Sequence, residues 1–170
     1  LATTAKIVVN TLRGIPILVQ LFYIYFVLPE FGIALTALQA AIIGLGIAYS
    51  AYQSENFRAG IEAIDHGQIE AAQSIGMGWG LTMRRVILPQ AIRLVLPPYG
   101  NIMVMMLKDS SQASTITVAE LTLQGTLIAS STFKNMTVYT LVALLYLAMC
   151  LPLMGLVSWL ERRFGKGARR

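Results

Sequence analysis

The sequence predicts an all-α membrane protein with four spanning helices. Three observations carry that expectation. Of the 170 residues, 56% are hydrophobic and 12% charged, with a mean hydropathy of +0.66, too apolar for an ordinary soluble domain. The apolar residues collect in four runs, 5–28, 33–53, 91–107 and 138–160, each near the length that crosses a bilayer at about 1.5 Å per residue. Between the second and third runs lies one polar island, about 61–89. There is no internal repeat, low-complexity tract or long linker, so 1–170 reads as a single domain.

The first run, Ala5 to Leu28, carries Asn10, Arg13, Gly14 and Pro16, which a lipid-facing helix would not tolerate. Either Lys6 to Arg13 lies at the cytoplasmic interface and the span begins near Ile15, or Arg13 faces a polar cavity between helices. Pro29 and Glu30 close the run, and Phe31-Gly32 turns the chain back. The chain opens on Leu1 with no cleavable signal pattern, so residues are expected upstream. In the second run Ala40, Gly44 and Ala48 are four apart; they allow close helix packing or reflect chance in an Ala-rich helix. That helix runs on into Glu55, costly to bury without a purpose, with Arg58 three residues later as a local partner.

The island reads as a docking element. Ile61 to Ser74 has helix-forming composition broken by Gly67, and Gly76 and Gly78 supply a helix end. A second helix is expected from near Trp79, with Trp79, Met83, Val86 and Ile87 on one face, as in an amphipathic segment at a membrane surface. Ala71 and Ala72 let a partner approach the backbone, and Glu70 offers one fixed charge, which is helix-in-groove chemistry. His66 lacks neighbours that would make it a metal ligand and reads as a solvated residue.

Pro89 suits the first turn of the third spanning helix, where its missing N–H is unneeded. Pro97-Pro98-Tyr99-Gly100-Asn101 then predicts a kink, or freed backbone groups that need polar partners. Lys108 to Ser111 ends the helix, and Thr117-Val118-Ala119-Glu120 reads as a capping box opening a short external or re-entrant helix to about Ile128. Ser130-Ser131-Thr132 stops it. In the last run Pro152 is a candidate kink, and Trp159 sits beside Arg162 and Arg163 as an interface anchor. Met103, Met105 and Met106 read as packing rather than a soft-metal site.

The net charge of +5 does not point to nucleic acid, because five of the 13 basic residues, Arg162, Arg163, Lys166, Arg169 and Arg170, crowd the last nine positions. Such a cluster marks a membrane edge and places the tail in the cytoplasm, with Arg84, Arg85 and Arg93 two crossings back on the same side and the N-terminus inside as well. The lone Cys150 lies in an apolar run and reads as inert, with no disulfide or metal role. One His, one Cys and no phosphate-binding loop exclude an enzyme that hydrolyses ATP itself. A secondary transporter or channel subunit is the alternative, but it would ordinarily show paired membrane carboxylates, inverted repeats or a filter motif.

The order Glu70-Ala71-Ala72, three residues, Gly76, nine residues, Val86, one residue, Leu88-Pro89 resembles the cytoplasmic coupling loop of ABC importer permeases, with Val86 where Ile is usual. Further blocks are similar to permeases for polar amino acids. They are Arg13-Gly14-Ile15-Pro16 with Val19-Gln20-Leu21, Glu55-Asn56-Phe57-Arg58-Ala59-Gly60, Leu88-Pro89-Gln90-Ala91, Lys108-Asp109-Ser110-Ser111 and Trp159-Leu160-Glu161-Arg162-Arg163. The chain departs from that pattern in lacking one N-terminal membrane helix and in carrying Ile15 where Thr is common.

The resemblance implies a type I ABC importer transmembrane domain: four spanning helices, a cytoplasmic coupling helix and a short external helix in a bacterial cytoplasmic (inner) membrane. The partners it implies are an ATP-binding cassette ATPase subunit, a second permease copy or paralogue, an extracytoplasmic substrate-binding protein and an amino-acid substrate. Coupling to the ATPase is then expected at Glu70, Ala71, Ala72, Gly76 and Pro89. For substrate, Glu55 receives the ammonium, or else is only Arg58's structural partner, and backbone at Gly14 and Ile15 receives the carboxylate. Asp109, with Lys108, either touches substrate or caps the third helix and fixes an external gate. No catalytic residue, cofactor or metal is implied.

Overall fold

In the computed structural model, which describes residues 2–164, the chain is helical with no strand among the described residues. Helix α1 (Ala2–Gly14) ends at the Pro16 break, and α2 (Ile17–Phe22) continues through a π turn (Tyr23–Val27) and a 3-10 turn (Leu28–Phe31). The first run is therefore two helices, bent by 99° between 3–14 and 17–31. The break falls beside Ile15, where one of the two readings starts the span. Gly32 then turns the chain at φ +83°, a conformation only glycine adopts without strain.

Helix α3 (Ala37–Glu62) is opened by a capping box in which the Thr36 hydroxyl accepts from Gln39 N–H and the Gln39 side chain accepts from Thr36 N–H. At 26 residues it runs about 39 Å, well beyond the 33–53 stretch expected to span. The break expected at Gly67 falls instead at Ala63–Asp65. Ile64 is pulled into a small core, and the Asp65 side chain accepts from Gly67 N–H at 2.7 Å, so Gly67 belongs to the first turn of α4 (His66–Ser74). Helix α5 (Trp79–Thr82) starts where expected and passes through a π turn (Met83–Ile87) into α6 (Leu88–Asp109). That turn splits the expected Trp79, Met83, Val86 and Ile87 face: Trp79 is 61% exposed and Ile87 buried.

A 3-10 segment (Ser110–Ile116) follows α6 and ends at Thr117, which is left-handed (φ 66°) and does not open a helix. The cap of α7 (Leu121–Thr132) is Glu120, whose carboxylate accepts from Thr122 and Leu123 N–H at 2.8 and 2.6 Å. The expected capping box at Thr117 is thus replaced by an acidic residue meeting the N-terminal partial charge of the helix. The helix passes the expected end near Ile128, runs through Ser130-Ser131-Thr132 and stops at left-handed Phe133. Among the described residues, helix α8 (Asn135–Phe164) is the one that is by itself long and apolar enough to cross a membrane, over 135–163; α3 and α6 have the length but carry more polar residues. Lys166, Arg169 and Arg170 of the basic tail lie outside the described residues.

Small residues set the packing. Ala40, Gly44 and Ala48 are all buried, and a Cβ on Gly44 would stand 2.7 Å from Leu21 Cδ2, so the stripe is a packing face rather than chance. Leu21, Leu45, Tyr49, Ala113 and Ile116 complete this core between α2, α3 and the 3-10 segment. Gly100 faces Val157, and Val104 and Leu107 pack with Cys150, Leu153 and Val157, so α6 and α8 run antiparallel and Cys150 is buried packing. The end of α8 therefore returns to the loop between α3 and α6. That end gathers Arg84, Arg85, Arg93, Arg162 and Arg163, and Arg163 lies 5.9 Å over the Trp159 ring.

Candidate functional site

The loop between α3 and α6 is built to hold one short helix rigidly. Asp65 caps the start of α4. At its other end Gly76 N–H donates to the Gln73 carbonyl at 2.9 Å and Met77 N–H to the Ala72 carbonyl at 3.1 Å, the pair of bonds of a Schellman ending. Gly76 takes the left-handed conformation that ending requires, at φ +82°. The Thr82 hydroxyl, fully buried, donates to the Gly78 carbonyl at 3.2 Å and fixes the following turn. Beneath α4, Ile64, Ile87 and Ala91 form a core with Ile69, Met83 and Leu94 packed against it. Gln90 donates to Gln68 Oε1 at 2.6 Å, tying α6 to α4.

This leaves a coherent outward face. Glu70 and Ala71 are exposed, while Ala72 is buried and holds the helix to the body. Ile75 is 78% and Trp79 61% exposed, so two large apolar side chains flank the Gly76 turn, uncovered by the described residues. Pro89 lies exposed in the first turn of α6, and His66 is exposed at the start of α4. Of the five residues expected to couple to an ATPase, Glu70, Ala71, Gly76 and Pro89 are exposed and Ala72 is buried.

The residues expected to meet substrate are arranged differently. Pro16 has no N–H, so the Leu12 carbonyl loses its helical donor. Buried Gln20 replaces it: its Nε2 donates to the Leu12 carbonyl at 2.7 Å and to the Ile15 carbonyl at 2.8 Å. Ile15 N–H donates to Thr11 at 3.2 Å, so the Ile15 backbone donor expected to receive a carboxylate is already engaged. Gly14 has open space where a Cβ would stand. The exposed Ile15 side chain lines an open apolar groove of about 340 Å³ with Leu12, Val19, Gln20, Tyr23, Ile24 and Ile47.

Glu55 forms the local pair: Arg58 Nε donates to one carboxylate oxygen at 3.0 Å, Nη2 meets the other, and Nη1 reaches Glu62 at 2.5 Å. Glu55 lies beyond the stretch read as spanning. The Arg58 hydrogen bond holds its carboxyl below the ordinary value against opposing desolvation, and Lys6 and Arg13 act in the same direction as Arg58. Asp109 ends α6 and accepts from Tyr49 OH at 2.6 Å, so it meets α3 six residues before Glu55. Arg13 lies 5.5 Å over the Tyr52 ring, and Tyr52 packs 6.1 Å from Tyr49, so one line along α3 joins the α1–α2 elbow to Asp109. Lys108 is exposed.

Several of these groups carry no signal that sequence reasoning used. Gln20 was legible in principle, as an amide four residues after a proline. Asp65 was legible as an acidic residue just before a helix. Tyr49, Tyr52 and Thr82 owe their roles to neighbours distant in sequence or to local folding.

Comparison with known proteins follows the same outline. The family model described as binding-protein-dependent transport system inner membrane component matches residues 1–166. The chain is 44% identical to the probable amino-acid ABC transporter permease protein YckA of Bacillus subtilis (strain 168), over 86% of this chain and 65% of the relative. It is 41% identical to the probable glutamine ABC transporter permease protein GlnM of the same organism, over 93% and 73%. The chain thus spans about two thirds to three quarters of the length of these relatives. A crystal structure of an amino acid ABC transporter with histidines superposes with a TM-score of 0.90 at 43% identity, covering 95% of this chain and 75% of that one. The inward-facing MetNI methionine ABC transporter shares the fold at a TM-score of 0.79 and 22% identity, over 95% and 74%. With its helical order, its proline elbow and its capped loop helix accounted for, the chain belongs to the family of binding-protein-dependent transport system inner membrane components.

Proposed function

We propose that the chain is the membrane-spanning permease subunit of an ATP-driven amino-acid importer. One observation carries the reading: α4, capped at both ends, holds Glu70, Ala71 and the Gly76 turn on one exposed face where α3 and α6 leave the bundle. A separate ATPase subunit takes this helix in a groove and performs the hydrolysis, with Glu70 as the charged anchor and the small Ala71 and Ala72 permitting close approach. Pro89 starts α6 directly behind the loop, so displacement of the loop enters a membrane helix. The crowding of cations at the loop end supports a cytoplasmic placement for the loop and for the end of α8, in a bacterial inner membrane.

The amino-acid class is supported by the relatives and by the 43% identical transporter. A second permease copy or paralogue closes the path, and an extracytoplasmic binding protein delivers substrate. Gly14 and the Ile15 side chain line the path at the elbow, Glu55 offers a carboxylate to an ammonium group once released by Arg58, and Asp109 sets the far gate.

ATP hydrolysis by the reconstituted complex of the full-length protein tests this. Stimulation by a binding protein loaded with one or a few amino acids from a panel, abolished by Gly76→Asp in a complex that still assembles, is the expected result. Hydrolysis indifferent both to the panel and to Gly76 would overturn it.

A further inference from the structure

Helix α6 carries two adjacent prolines yet runs unbroken from Leu88 to Asp109. Pro97 and Pro98 supply no N–H, so the carbonyls of Arg93 and Leu94 have no helical donor, and a helix so weakened flexes at that point. Two amide side chains of α3 lie against this turn. Asn56 Nδ2 donates to the Val95 carbonyl at 3.3 Å and, at 3.3 Å, to Gln53 Oε1; Gln53 Nε2 in turn donates to the Tyr99 carbonyl at 3.5 Å. Gln53 is 9% exposed, so its amide lies largely away from solvent. Just below, Gly60 brings the two backbones so close that an added Cβ would collide with the Val95 side chain.

The position of this contact matters as much as its chemistry. α3 enters the loop and α6 leaves it, and Ile64, Ile87 and Ala91 pack together at that junction, Ala91 lying six residues before Pro97. We infer that Asn56 and Gln53 are positioning residues: a strap that holds α6 to α3 across its proline pair. With the strap in place, displacement of the loop moves both helices as one body. Without it, the displacement is absorbed by bending at Pro97–Pro98. The mechanical role rests on the permease reading above; the existence of the strap does not.

Both parts are tested in the full-length protein. In nanodiscs, Asn56→Leu keeps the side-chain size and removes the donor. Amide exchange over 99–103 is expected to rise about tenfold, the equivalent of one hydrogen bond of about 1.4 kcal/mol. In a Pro97→Ala/Pro98→Ala background, where the helix regains its own donors, the same substitution should raise exchange little. In the reconstituted complex, Asn56→Leu is expected to leave ATP hydrolysis within about twofold and to lower amino acid transported per ATP several-fold, with the alanine pair restoring the ratio. Equal exchange in Asn56→Leu and wild type, or an exchange effect of the same size in the alanine background, overturns the strap. An unchanged transport-to-hydrolysis ratio overturns its mechanical role. A wild-type complex that neither hydrolyses ATP nor responds to amino acids overturns the permease reading and the mechanical role with it, while the exchange result still decides whether the strap exists.

Discussion

Replacing Gln20 with Leu removes two hydrogen bonds at the α1–α2 elbow without changing side-chain size much. Nε2 of Gln20 serves the Leu12 carbonyl at 2.7 Å, left without a donor by Pro16, and the Ile15 carbonyl at 2.8 Å. A net hydrogen bond is worth about 0.5–1.5 kcal/mol in water-soluble proteins, and side-chain bonds in membrane helices average about 0.6 kcal/mol. Two bonds therefore amount to about 1–3 kcal/mol. Leu regains little by burial, since lipid is as apolar as the core it would enter. The carbonyls are partly buried, so water replaces the amide only if the elbow opens. The expected loss for Gln20→Leu is about 2 kcal/mol, measured by denaturant titration of the full-length protein in mixed micelles. Pro16→Ala supplies the N–H that Leu12 lacks, so in that background the Gln20→Leu loss should shrink by roughly half. A Gln20→Leu protein within about 0.5 kcal/mol of wild type, or an undiminished loss in the Pro16→Ala background, would refute this account of the elbow.

Two further substitutions bear on the loop and the bundle. Asp65→Ala removes the cap on α4 and is expected to cost about 1 kcal/mol, seen as faster proteolysis within the segment 63–78; an unchanged cleavage rate would show that the cap does not hold the helix. Gly100→Ala places a Cβ 2.6 Å from Val157 Cγ2, which overpacks the α6–α8 contact by about 1–3 kcal/mol. Much of that cost should vanish in a Val157→Ala background, and equal costs in both backgrounds would mean that the strain lies elsewhere.

The fold itself was largely legible because burial in a bilayer leaves a coarse mark. Apolar runs, a polar island and a basic end place helices and loops without knowledge of contacts, and the small residues Ala40, Gly44 and Ala48 marked a packing face at the right spacing. The Gly76 ending was legible for a local reason, since a left-handed residue after a helix selects glycine. Local capping read less well. Thr117 and Glu120 are both plausible caps by residue type, and the choice between them depends on where the preceding 3-10 segment sets the chain down. The end of α3 was misplaced because Ile64 is drawn into a core made with Ile87 and Ala91, which lie more than twenty residues away in the chain.

The sequence alone determined the class of molecule: an apolar helical chain with prolines at two weak points and one polar loop. Hydropathy, missing N–H groups and glycine's backbone freedom are properties of residues in isolation, and they survive any arrangement of helices. Only the tertiary structure decided which groups meet those weak points. The Leu12 carbonyl finds Gln20 because the chain bends by 99° at Pro16, and the turn at Pro97–Pro98 finds Asn56 and Gln53 because α3 packs against α6. Glu55 pairs with Arg58, Asp109 takes the Tyr49 hydroxyl, and Ile15 spends its backbone inside the elbow. A polar group within an apolar body bonds to whatever partner packing brings within about 3 Å, and that partner is a matter of three-dimensional neighbours rather than of spacing along the chain.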